Sequence, residues 1–433
     1  MRKRTEHYDV VIIGGGAAGL TAAIYCGRAK LKTLVIEKTM IGGLATYTDE
    51  IANYPGFPEG ITGSELMKLF QQQAKNFDVS FKLTDVKSID FSETIKKVET
   101  FRNIFLAKSV IIASGSVPRL TGAKNEQNFL YARGISFCAT CDAASNSEKT
   151  VMVIGSGDAA IEEGLFLTKF ADRVIISVIH DEGIMDCNEI AKAQALEHPK
   201  MTFLWNTVVE SFEGSEHLES IILKNTKTRQ LQEINVDSCF LFIGYLPDTK
   251  IFTEAIDMTS SGYIKTNDRM ETNIPGVFAV GDVREKILKQ IATAVGDGAV
   301  AGTAVEKYLV EEEIFEKQIV NEGDASIVYF YNATDESSRT LLTTIQMFKE
   351  RLNKQVKVTT VDSYKSNEIA KKIGISQVPS VVYIKDRQVV KIVEDQIYED
   401  YLMEVANTLT NFLNNEENER IKSKKDIPSN VKE

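Results

Sequence analysis

Residues 8–19 read Tyr-Asp-Val-Val-Ile-Ile-Gly-Gly-Gly-Ala-Ala-Gly, a short apolar run that leads directly into a glycine-rich turn. A β-branched run of this length is typical of a parallel strand that is buried on both faces. An alanine- and leucine-rich stretch follows as far as Ala29 and predicts a helix, and residues 33–37 predict a second strand. The pattern therefore predicts a β-α-β unit, the building block of a parallel α/β sheet.

The turn of this unit carries the spacing of a dinucleotide-binding site. Gly14, Gly16 and Gly19 follow the Gly-x-Gly-x-x-Gly pattern between strand and helix, and the acid Glu37 follows about twenty residues on. The glycines let a pyrophosphate approach the helix N-terminus, where backbone N–H groups and the helix dipole favour an anion. Glu37 is the candidate acceptor for ribose hydroxyls. The alternative, a purely structural glycine turn, is disfavoured by this context.

A second unit of the same kind occupies residues 150–179. Its turn reads Gly-Ser-Gly-Asp-Ala-Ala over residues 155–160, and Ala160 replaces the third glycine, as is allowed where helix and strand pack closely. Gly155 and Gly157 are therefore candidate contacts for a second dinucleotide.

Immediately before the second unit lies Cys138-Ala-Thr-Cys141-Asp142. A zinc site would need a second pair of Cys or His ligands, and the sequence has none, so we predict no metal. Neighbouring thiols in this spacing can have a lowered thiol pKa, and redox exchange is therefore the expected chemistry. We interpret the single cysteines Cys26 and Cys239 as buried apolar side chains. Cys187 lies between Asp186 and Asn188 and could be exposed, but a redox role for it is disfavoured.

Length and composition limit the number of domains and the class of protein. A chain of 433 residues predicts about two to four domains. Its 43% hydrophobic and 26% charged residues are typical of a soluble globular protein, without a membrane-spanning run or a signal peptide. The net charge of −11 disfavours nucleic-acid binding and leaves room for a basic protein partner. Five cysteines with one close pair favour a reducing cytoplasm.

The last part of the chain predicts a separate unit. Residues 311–324 are charged and polar and predict a linker. Residues 325–414 predict the order β-α-β-α-β-β-α, with Val378-Pro379 directly before a strand. The tail, residues 415–433, is charged and poor in apolar residues, so we expect it to be disordered.

The order of these motifs, completed by Gly-Val-Phe-Ala-Val-Gly-Asp over residues 276–282, resembles that of the low-molecular-weight thioredoxin reductases. The resemblance covers residues 8–310. It implies an α/β fold with two Rossmann-like dinucleotide-binding domains, the nucleotide domain being inserted into a discontinuous FAD domain. The implied boundaries are 1–117 and 249–310 for the FAD domain and 118–248 for the NAD(P)-type domain.

The C-terminal unit resembles thioredoxin in its strand order and in Val378-Pro379, which in that fold is a cis peptide beside the active-site pair. However, residues 334–338 read Thr-Asp-Glu-Ser-Ser where thioredoxin has Trp-Cys-x-x-Cys. Without cysteines this unit cannot accept electrons. We interpret it as a thioredoxin-like module for docking, dimer contact or substrate positioning, with an unrelated α/β accessory domain as the alternative.

In the family that the chain resembles, FAD lies on the first unit and a pyridine nucleotide on the second. Carried over by motif, Asp282, next to Gly281, would bind a ribityl hydroxyl of FAD. Asn53 lies in a segment that resembles the one passing the isoalloxazine ring. Gln290 and Ile291 open a helix near the pyrimidine end of the flavin, and its N-terminus would stabilise negative charge on the reduced flavin.

The mechanism that the resemblance implies is an electron relay. Reduced flavin passes two electrons to the Cys138–Cys141 disulfide, and the dithiol then exchanges with the disulfide of thioredoxin or a thioredoxin-like protein. Cys141 would face the flavin and Cys138 would attack the partner. Asp142 is the candidate general acid/base, with a helix N-cap or a solvated turn acid as the alternative. The analogy also implies a homodimer, and rotation of the inserted domain about hinges near residues 116–118 and 244–248.

The sequence departs from the family in the nucleotide unit. The typical reductase has His-Arg-Arg and a further arginine here, which pair with the 2′-phosphate of NADPH. This chain reads Val-Ile-His-Asp-Glu-Gly-Ile over residues 178–184, with no arginine between Arg173 and Arg229. Asp181 and Glu182 would repel that phosphate. We therefore expect NADPH to be a poor donor and leave NADH and reduced ferredoxin as alternatives.

A second departure concerns the partner. Ala143 and Ala144 stand where many family members place bulky aromatic side chains that help to grip thioredoxin. Arg133 does match the family, either to steer an acidic partner or as an ordinary surface arginine.

Two functional hypotheses follow. The first is a cytoplasmic, flavin-dependent disulfide reductase that acts on thioredoxin or a thioredoxin-like protein with a donor other than NADPH. The alternative is a redox sensor or scaffold that keeps FAD and the disulfide, turns over slowly and binds a client through its cysteine-free domain. A flavoprotein that feeds a peroxiredoxin fits poorly, because such proteins carry working thioredoxin-fold domains at the N-terminus.

Overall fold

Two separate sheets carry the two glycine-rich turns predicted from the sequence. The structure is a computed structural model that describes residues 3–47, 51, 53–130, 133–137, 139–320, 325–351, 356–364, 366–394, 397–398, 400–402 and 404. The chain divides into two compact units, residues 1–306 and 307–433. None of the helices in the described ranges is both long and apolar enough to cross a membrane.

The strands of the first unit are β1 (Arg4–Ile13), β2 (Thr33–Glu37), β3 (Ser80–Leu83), β4 (Val86–Asp90), β5 (Lys96–Thr100), β6 (Asn103–Ile112), β7 (Ser116–Pro118), β8 (Ile135–Ser136), β9 (Thr150–Ile154), β10 (Arg173–Val178), β11 (Met201–Trp205), β12 (Thr207–Gly214), β13 (Leu218–Asn225), β14 (Leu231–Asn235), β15 (Ser238–Leu241), β16 (Tyr245–Pro247) and β17 (Val277–Ala279). The helices that begin in this unit are α1 (Ala17–Arg28), α2 (Gly63–Lys75), α3 (Ala139–Asp142), α4 (Asp158–Leu167), α5 (Glu189–Glu197) and α6 (Ile291–Ile314).

The first sheet has the order β3-β2-β1-β6-β5-β4, and β17 pairs with β6. Strands β2 and β6 run parallel to β1, whereas β4 and β5 form an antiparallel meander at one edge. Residues 10–13 of β1 are buried, as expected for a strand covered on both faces. Strand β17 returns from a distant part of the chain and pairs in parallel with residues 110–112. The last strand of the first sheet therefore follows all strands of the second sheet along the chain.

The first turn needs its glycines because the backbone passes very close to other backbone atoms. Gly14 has φ +110°, and a Cβ on it would lie 2.1 Å from the carbonyl oxygen of Ala113. A Cβ on Gly19, in the first turns of α1, would lie 2.0 Å from the carbonyl oxygen of Gly14. Helix α1 can therefore pack onto the end of β1 only without a side chain at these positions.

The second sheet has the order β11-β10-β9-β15-β8 and is parallel throughout. An antiparallel meander of β12, β13 and β14 lies beside it. Strands β7 and β16 pair antiparallel, so the chain enters and leaves this region through one two-stranded ribbon.

The second unit contains a four-stranded sheet of order β19-β18-β20-β21. Its elements are β18 (Ala325–Tyr331), α7 (Glu336–Arg351), β19 (Lys357–Asp362), α8 (Asn367–Ile373), β20 (Ser380–Lys385) and β21 (Gln388–Val393). Strand β19 is parallel to β18, and β20 and β21 are antiparallel neighbours. The Val378-Pro379 peptide is cis, as predicted. The predicted tail, residues 415–433, lies outside the described residues.

The structure differs from the predicted linker at residues 311–324. Helix α6 continues to Ile314, and residues 315–319 form one further helical turn. Ile319 and Val320 are buried in the core of the second unit, with Ile314 and Phe315 packed against it. The charged residues that suggested a linker belong to this packed helix: Glu311 is buried, and Glu312 pairs with Lys372 at 2.9 Å.

We predict that Gly19→Ala destabilises the first unit. The new methyl group would overlap the Gly14 carbonyl oxygen, and relief of that overlap costs on the order of 2–3 kcal/mol in the free energy of unfolding. Chemical denaturation followed by circular dichroism measures the change.

The matched control is Gly296→Ala in α6, where a Cβ meets no atom within 4 Å. Alanine there should hold or raise stability, because it favours a helix over glycine. Equal stability of the two variants would contradict the packing described for α1.

Candidate active site

The N-terminus of α1 is open towards the site. Gly16 is its N-cap, no side chain caps the helix, and its first turn holds no acidic residue. A Cβ built on Gly16 finds its nearest atom, the carbonyl oxygen of Gly42, only at 3.8 Å. The free backbone N–H groups and the helix dipole therefore face space that a phosphate group can occupy.

Glu37 is buried at the end of β2, and the protein itself uses both of its carboxylate oxygens. Its Oε2 accepts from the backbone N–H of Gly15 at 2.8 Å, and its Oε1 accepts from that of Thr39 at 3.0 Å. These bonds fix the carboxylate beside the glycine turn. Oε1 also accepts from the Thr39 hydroxyl at 3.3 Å, so Oε2 is the oxygen that keeps a lone pair for the predicted role towards ribose hydroxyls.

Asp282 lies just after β17, in a short 3₁₀ turn with Gly281. It is half-buried, and among the described residues its carboxylate has no hydrogen-bond partner. Burial raises the pKa of Asp282, while Lys286 and Lys289 oppose that rise. A half-buried carboxylate without a donor fits a ligand that brings hydroxyl groups.

Asn53 and Gln290 were predicted separately, and the structure brings them together. The Asn53 Nδ2 donates to the Gln290 Oε1 at 3.2 Å, across 237 residues of sequence. Ile291 begins helix α6 directly after this contact. The two amides therefore place the predicted flavin-ring segment against the N-terminus of a helix.

These features fit FAD. The open N-terminus of α1 suits the pyrophosphate, Glu37 the adenosine ribose, Asp282 the ribityl chain, and the Asn53–Gln290 pair the ring. FAD bound there would supply a carrier of two electrons.

Of the cysteine motif, Cys138 lies outside the described residues, and for Cys141 only the backbone in α3 is described. Asp142 is the last residue of α3, so it is not an N-cap. Its Oδ2 accepts from the Ser136 hydroxyl at 2.5 Å. The carboxylate is therefore held by a strand of the second sheet, directly after the predicted redox pair. Arg133 is exposed.

The three other cysteines are buried in the described structure and not disulfide-bonded. Burial raises the pKa of the Cys26 thiol to about 12 and raises those of Cys187 and Cys239. A protonated buried thiol is inert, which confirms the interpretation of Cys26 and Cys239 as apolar side chains.

A carboxylate of the protein, Asp186, is hydrogen-bonded to the second glycine turn, with its side chain 64% exposed. The Ser156 hydroxyl donates to Asp186 Oδ2 at 3.1 Å, and the Asp186 N–H donates to the Ser156 carbonyl at 2.9 Å. His180 lies 2.8 Å from the same Asp186 oxygen. Hydrogen bonds from His180 and Ser156 hold the pKa of Asp186 below its usual range, so it is ionised at neutral pH. Sequence reasoning missed this residue, although it lies in the segment where the family places arginine.

The acidic residues predicted to repel a 2′-phosphate differ in their surroundings. Asp181 forms an ion pair with Lys227, which enters from the turn between β13 and β14. Glu182 is exposed. The charge of Asp181 is thus partly offset, and Asp186 becomes the more direct obstacle to a phosphate at this turn.

In the second unit, Asp335 and Ser338 occupy the two positions at which thioredoxin has cysteine. The Asp335 carboxylate accepts from the Ser338 N–H at 2.7 Å and so caps the start of α7. Ser338 is fully buried. This end of α7 is therefore built as a helix cap without a thiol.

Comparison with known proteins agrees with this geometry. The sequence matches the family described as pyridine nucleotide-disulphide oxidoreductase over residues 8–298 and the thioredoxin family over residues 306–408. A thioredoxin reductase of Peptoclostridium litorale is 40% identical over 314 residues, 71% of this chain and 98% of the relative. One of Bacillus subtilis is 41% identical over 305 residues, 70% of this chain and 95% of the relative.

Solved structures give the same result. A thioredoxin reductase of Lactococcus lactis is 39% identical, with a TM-score of 0.64, and the match covers 70% of this chain and 99% of that one. A thioredoxin reductase of T. acidophilum is 30% identical, with a TM-score of 0.62, over 70% of this chain and 99% of that one. The predicted resemblance and the predicted α/β fold class with its thioredoxin-like addition are confirmed.

We predict that Glu37→Gln weakens FAD binding about 10- to 100-fold, because charge-assisted hydrogen bonds at a buried site are each worth about 1.5–3 kcal/mol. Quenching of flavin fluorescence on titration of the apoprotein measures the affinity. Glu216→Gln, in an exposed turn, is the matched control and should bind FAD like the wild type. Equal affinity of the two variants would contradict the role of Glu37.

Proposed function

Since this chain belongs to the pyridine nucleotide-disulphide oxidoreductase family, with thioredoxin reductases as relatives, we propose that it reduces the disulfide of thioredoxin or a thioredoxin-like protein. It is an FAD-dependent disulfide oxidoreductase, and in our proposal its electrons come from a donor other than NADPH. The carboxylate of Asp186 at the second glycine turn is the observation that supports the choice of donor.

Cys138 and Cys141 carry the exchange in this proposal. The thiolate of Cys138 attacks a sulfur of the partner disulfide, forms a mixed disulfide and releases one partner thiolate. The Cys141 thiolate then attacks Cys138, which releases the partner as a dithiol and closes the Cys138–Cys141 disulfide. The partner gains two electrons and two protons, and the same number must return to the pair in each cycle. Bound FAD, once reduced by the donor, would supply these two electrons.

Asp142 is the proposed general acid/base for the pair. It follows Cys141 directly, and its hydrogen bond from Ser136 orients the carboxylate. A positioned carboxylate can give a proton to the leaving thiolate and take one from the attacking thiol.

The donor is inferred from the second glycine turn. Both NADH and NADPH carry a diphosphate, and in this fold it binds at the N-terminus of the helix after the turn. The ionised Asp186 is bonded to the turn itself at Ser156, and Asp158 opens α4 with a further negative charge. The arrangement therefore weakens both nucleotides, which favours reduced ferredoxin over NADH.

We further propose a homodimer by likeness to the family, and the β7–β16 ribbon as the hinge of the inserted domain. The ribbon comprises the strands Ser116–Pro118 and Tyr245–Pro247. Two short strands are enough to guide a rigid-body rotation while the sheets on either side stay intact.

The second candidate function is a redox sensor or scaffold. It is favoured by the thioredoxin match over residues 306–408 in a stretch that contains no cysteine. Sustained turnover with a disulfide protein supports the reductase, whereas one reduction per flavin with stable client binding supports the sensor.

We predict that reduced ferredoxin, and not micromolar NADPH, bleaches the flavin absorbance under anaerobic conditions. Dithionite is the control, because it shows that the bound flavin can be reduced. Rapid bleaching by NADPH would overturn the proposed donor while leaving the disulfide chemistry intact.

We predict that Asp186→Asn raises the affinity for NADH about two- to fivefold, because it removes one solvent-screened charge beside the diphosphate position and keeps the shape of the side chain. NADH fluorescence measures the affinity. Glu182→Gln removes the same charge from an exposed position without a contact to the turn and should change the affinity less. Equal effects would show that Asp186 acts only through net charge.

We predict that Cys138→Ser and Cys141→Ser each abolish turnover with a disulfide protein, because a hydroxyl cannot form a disulfide. The donor should still bleach the flavin in both variants. Cys187→Ser is the control, and it should retain turnover. Persistent turnover in either of the first two variants would contradict the proposed function.

A further inference from the structure

Three charged residues of the loop between Gly281 and α6, Asp282, Arg284 and Lys286, cluster with Asp297 of α6. Asp297 is 8% exposed, and the side chains of Arg284 and Lys286 are 14% and 8% exposed. The cluster holds two cations and two carboxylates, and Lys289 adds a further positive charge near Asp282. Such a cluster is costly to bury unless its members are paired, so its contacts show what it holds in place.

Asp297 ties helix α6 to the ribityl end of the site. Its Oδ2 accepts from the backbone N–H of Gly281 at 3.0 Å and from Lys286 Nζ at 3.1 Å. Arg284 Nη1 lies 3.3 Å from its other oxygen, Oδ1. The charge of Asp297 is therefore neutralised more than once, and a second positive charge remains to balance Asp282.

Lys286 extends the network to the other end of the site. Its Nζ also donates to the Thr293 hydroxyl at 3.2 Å. That hydroxyl accepts from the Gln290 N–H at 3.2 Å, and its one proton has two carbonyl acceptors, Leu288 at 2.9 Å and Gln290 at 3.0 Å. Gln290 in turn meets Asn53. A continuous chain of hydrogen bonds therefore joins Gly281 to the amides predicted to face the flavin ring.

We propose that Lys286 is a positioning residue that couples the ribityl end of the FAD site to the N-terminus of α6 and places a positive charge beside Asp282. Without Lys286, the buried Asp297 keeps Arg284 as its ion-pair partner, and the half-buried Asp282 keeps the weaker attraction of Lys289. The ionised form of Asp282 is then less stabilised, and a protonated carboxyl is a poorer acceptor for a hydroxyl. The start of α6 also loses its tie to the ribityl loop.

The network also bears on flavin reduction. A positive charge and an ordered helix N-terminus both favour negative charge on a nearby group. Removal of either should make the reduced flavin less stable and lower its midpoint potential. This inference depends on FAD binding alone, and not on the donor or the disulfide partner.

The test compares Lys286→Met with Lys265→Met. Lys265 is exposed in the described structure, so the control removes the same charge away from the cluster. Flavin fluorescence on titration of the apoprotein gives the affinity, and a spectroelectrochemical titration gives the potential. We expect Lys286→Met to bind FAD at least tenfold more weakly and to have a lower potential than the control. Equal affinity and potential in the two variants would overturn the proposal.

Thr293→Val is a second variant, which cuts the chain at the hydroxyl and keeps every charge and the branched shape. It should retain FAD affinity within about threefold and still show a lowered potential. If Lys286→Met does not fold, this variant decides the question, and an unchanged potential would overturn the coupling.

Discussion

Helix α1 is pressed against the end of β1, and the first site depends on that contact. A side chain at Gly19 would stand 2.0 Å from the Gly14 carbonyl oxygen, so only bare backbone lets the helix N-terminus reach the sheet edge. The Glu37 carboxylate is fixed beside this turn because it accepts a hydrogen bond from the Gly15 N–H. Together these contacts aim a free helix N-terminus and an acid at one space, which is what a dinucleotide requires.

The second glycine turn shows that the same backbone does not guarantee the same ligand. Gly155 has φ +136°, and a Cβ on it would lie 2.4 Å from the Phe242 carbonyl oxygen, so this turn is as tight as the first. The difference lies in the loop that follows β10. In the first unit the acid at the turn, Glu37, comes from the end of β2 and binds the Gly15 N–H, and the first turn of α1 holds no acid. In the second unit Asp186 comes from the loop and is bonded to Ser156, and Asp158 lies in the first turn of α4. Fold and site are therefore separable, and the site chemistry decides what binds.

Local spacing was predictable from the sequence, and long-range contacts were not. The Gly14 and Glu37 pattern depends on a turn and on the strands beside it, which the sequence encodes within a few dozen residues. The meeting of Asn53 with Gln290 depends on the packing of α6, and no periodicity reports it. Lys286 was missed for the same reason, since a charged residue in a loop predicts a solvated surface until its partners are known. The segment after residue 310 was predicted as a linker because its average composition is charged, although its few apolar residues, such as Ile319 and Val320, are buried.

The C-terminal unit has no cysteine, and this bears on where electrons can go in the proposed function. The stretch that matches thioredoxin contains no cysteine, and Asp335 and Ser338 form a helix cap where the redox pair would stand. The buried thiols elsewhere have raised pKa values and no access to a partner. In the proposed function, electrons that leave the Cys138–Cys141 pair therefore pass to a disulfide on another molecule. The appended unit contains no thiol, so in the proposed function it contributes through binding and not through redox exchange.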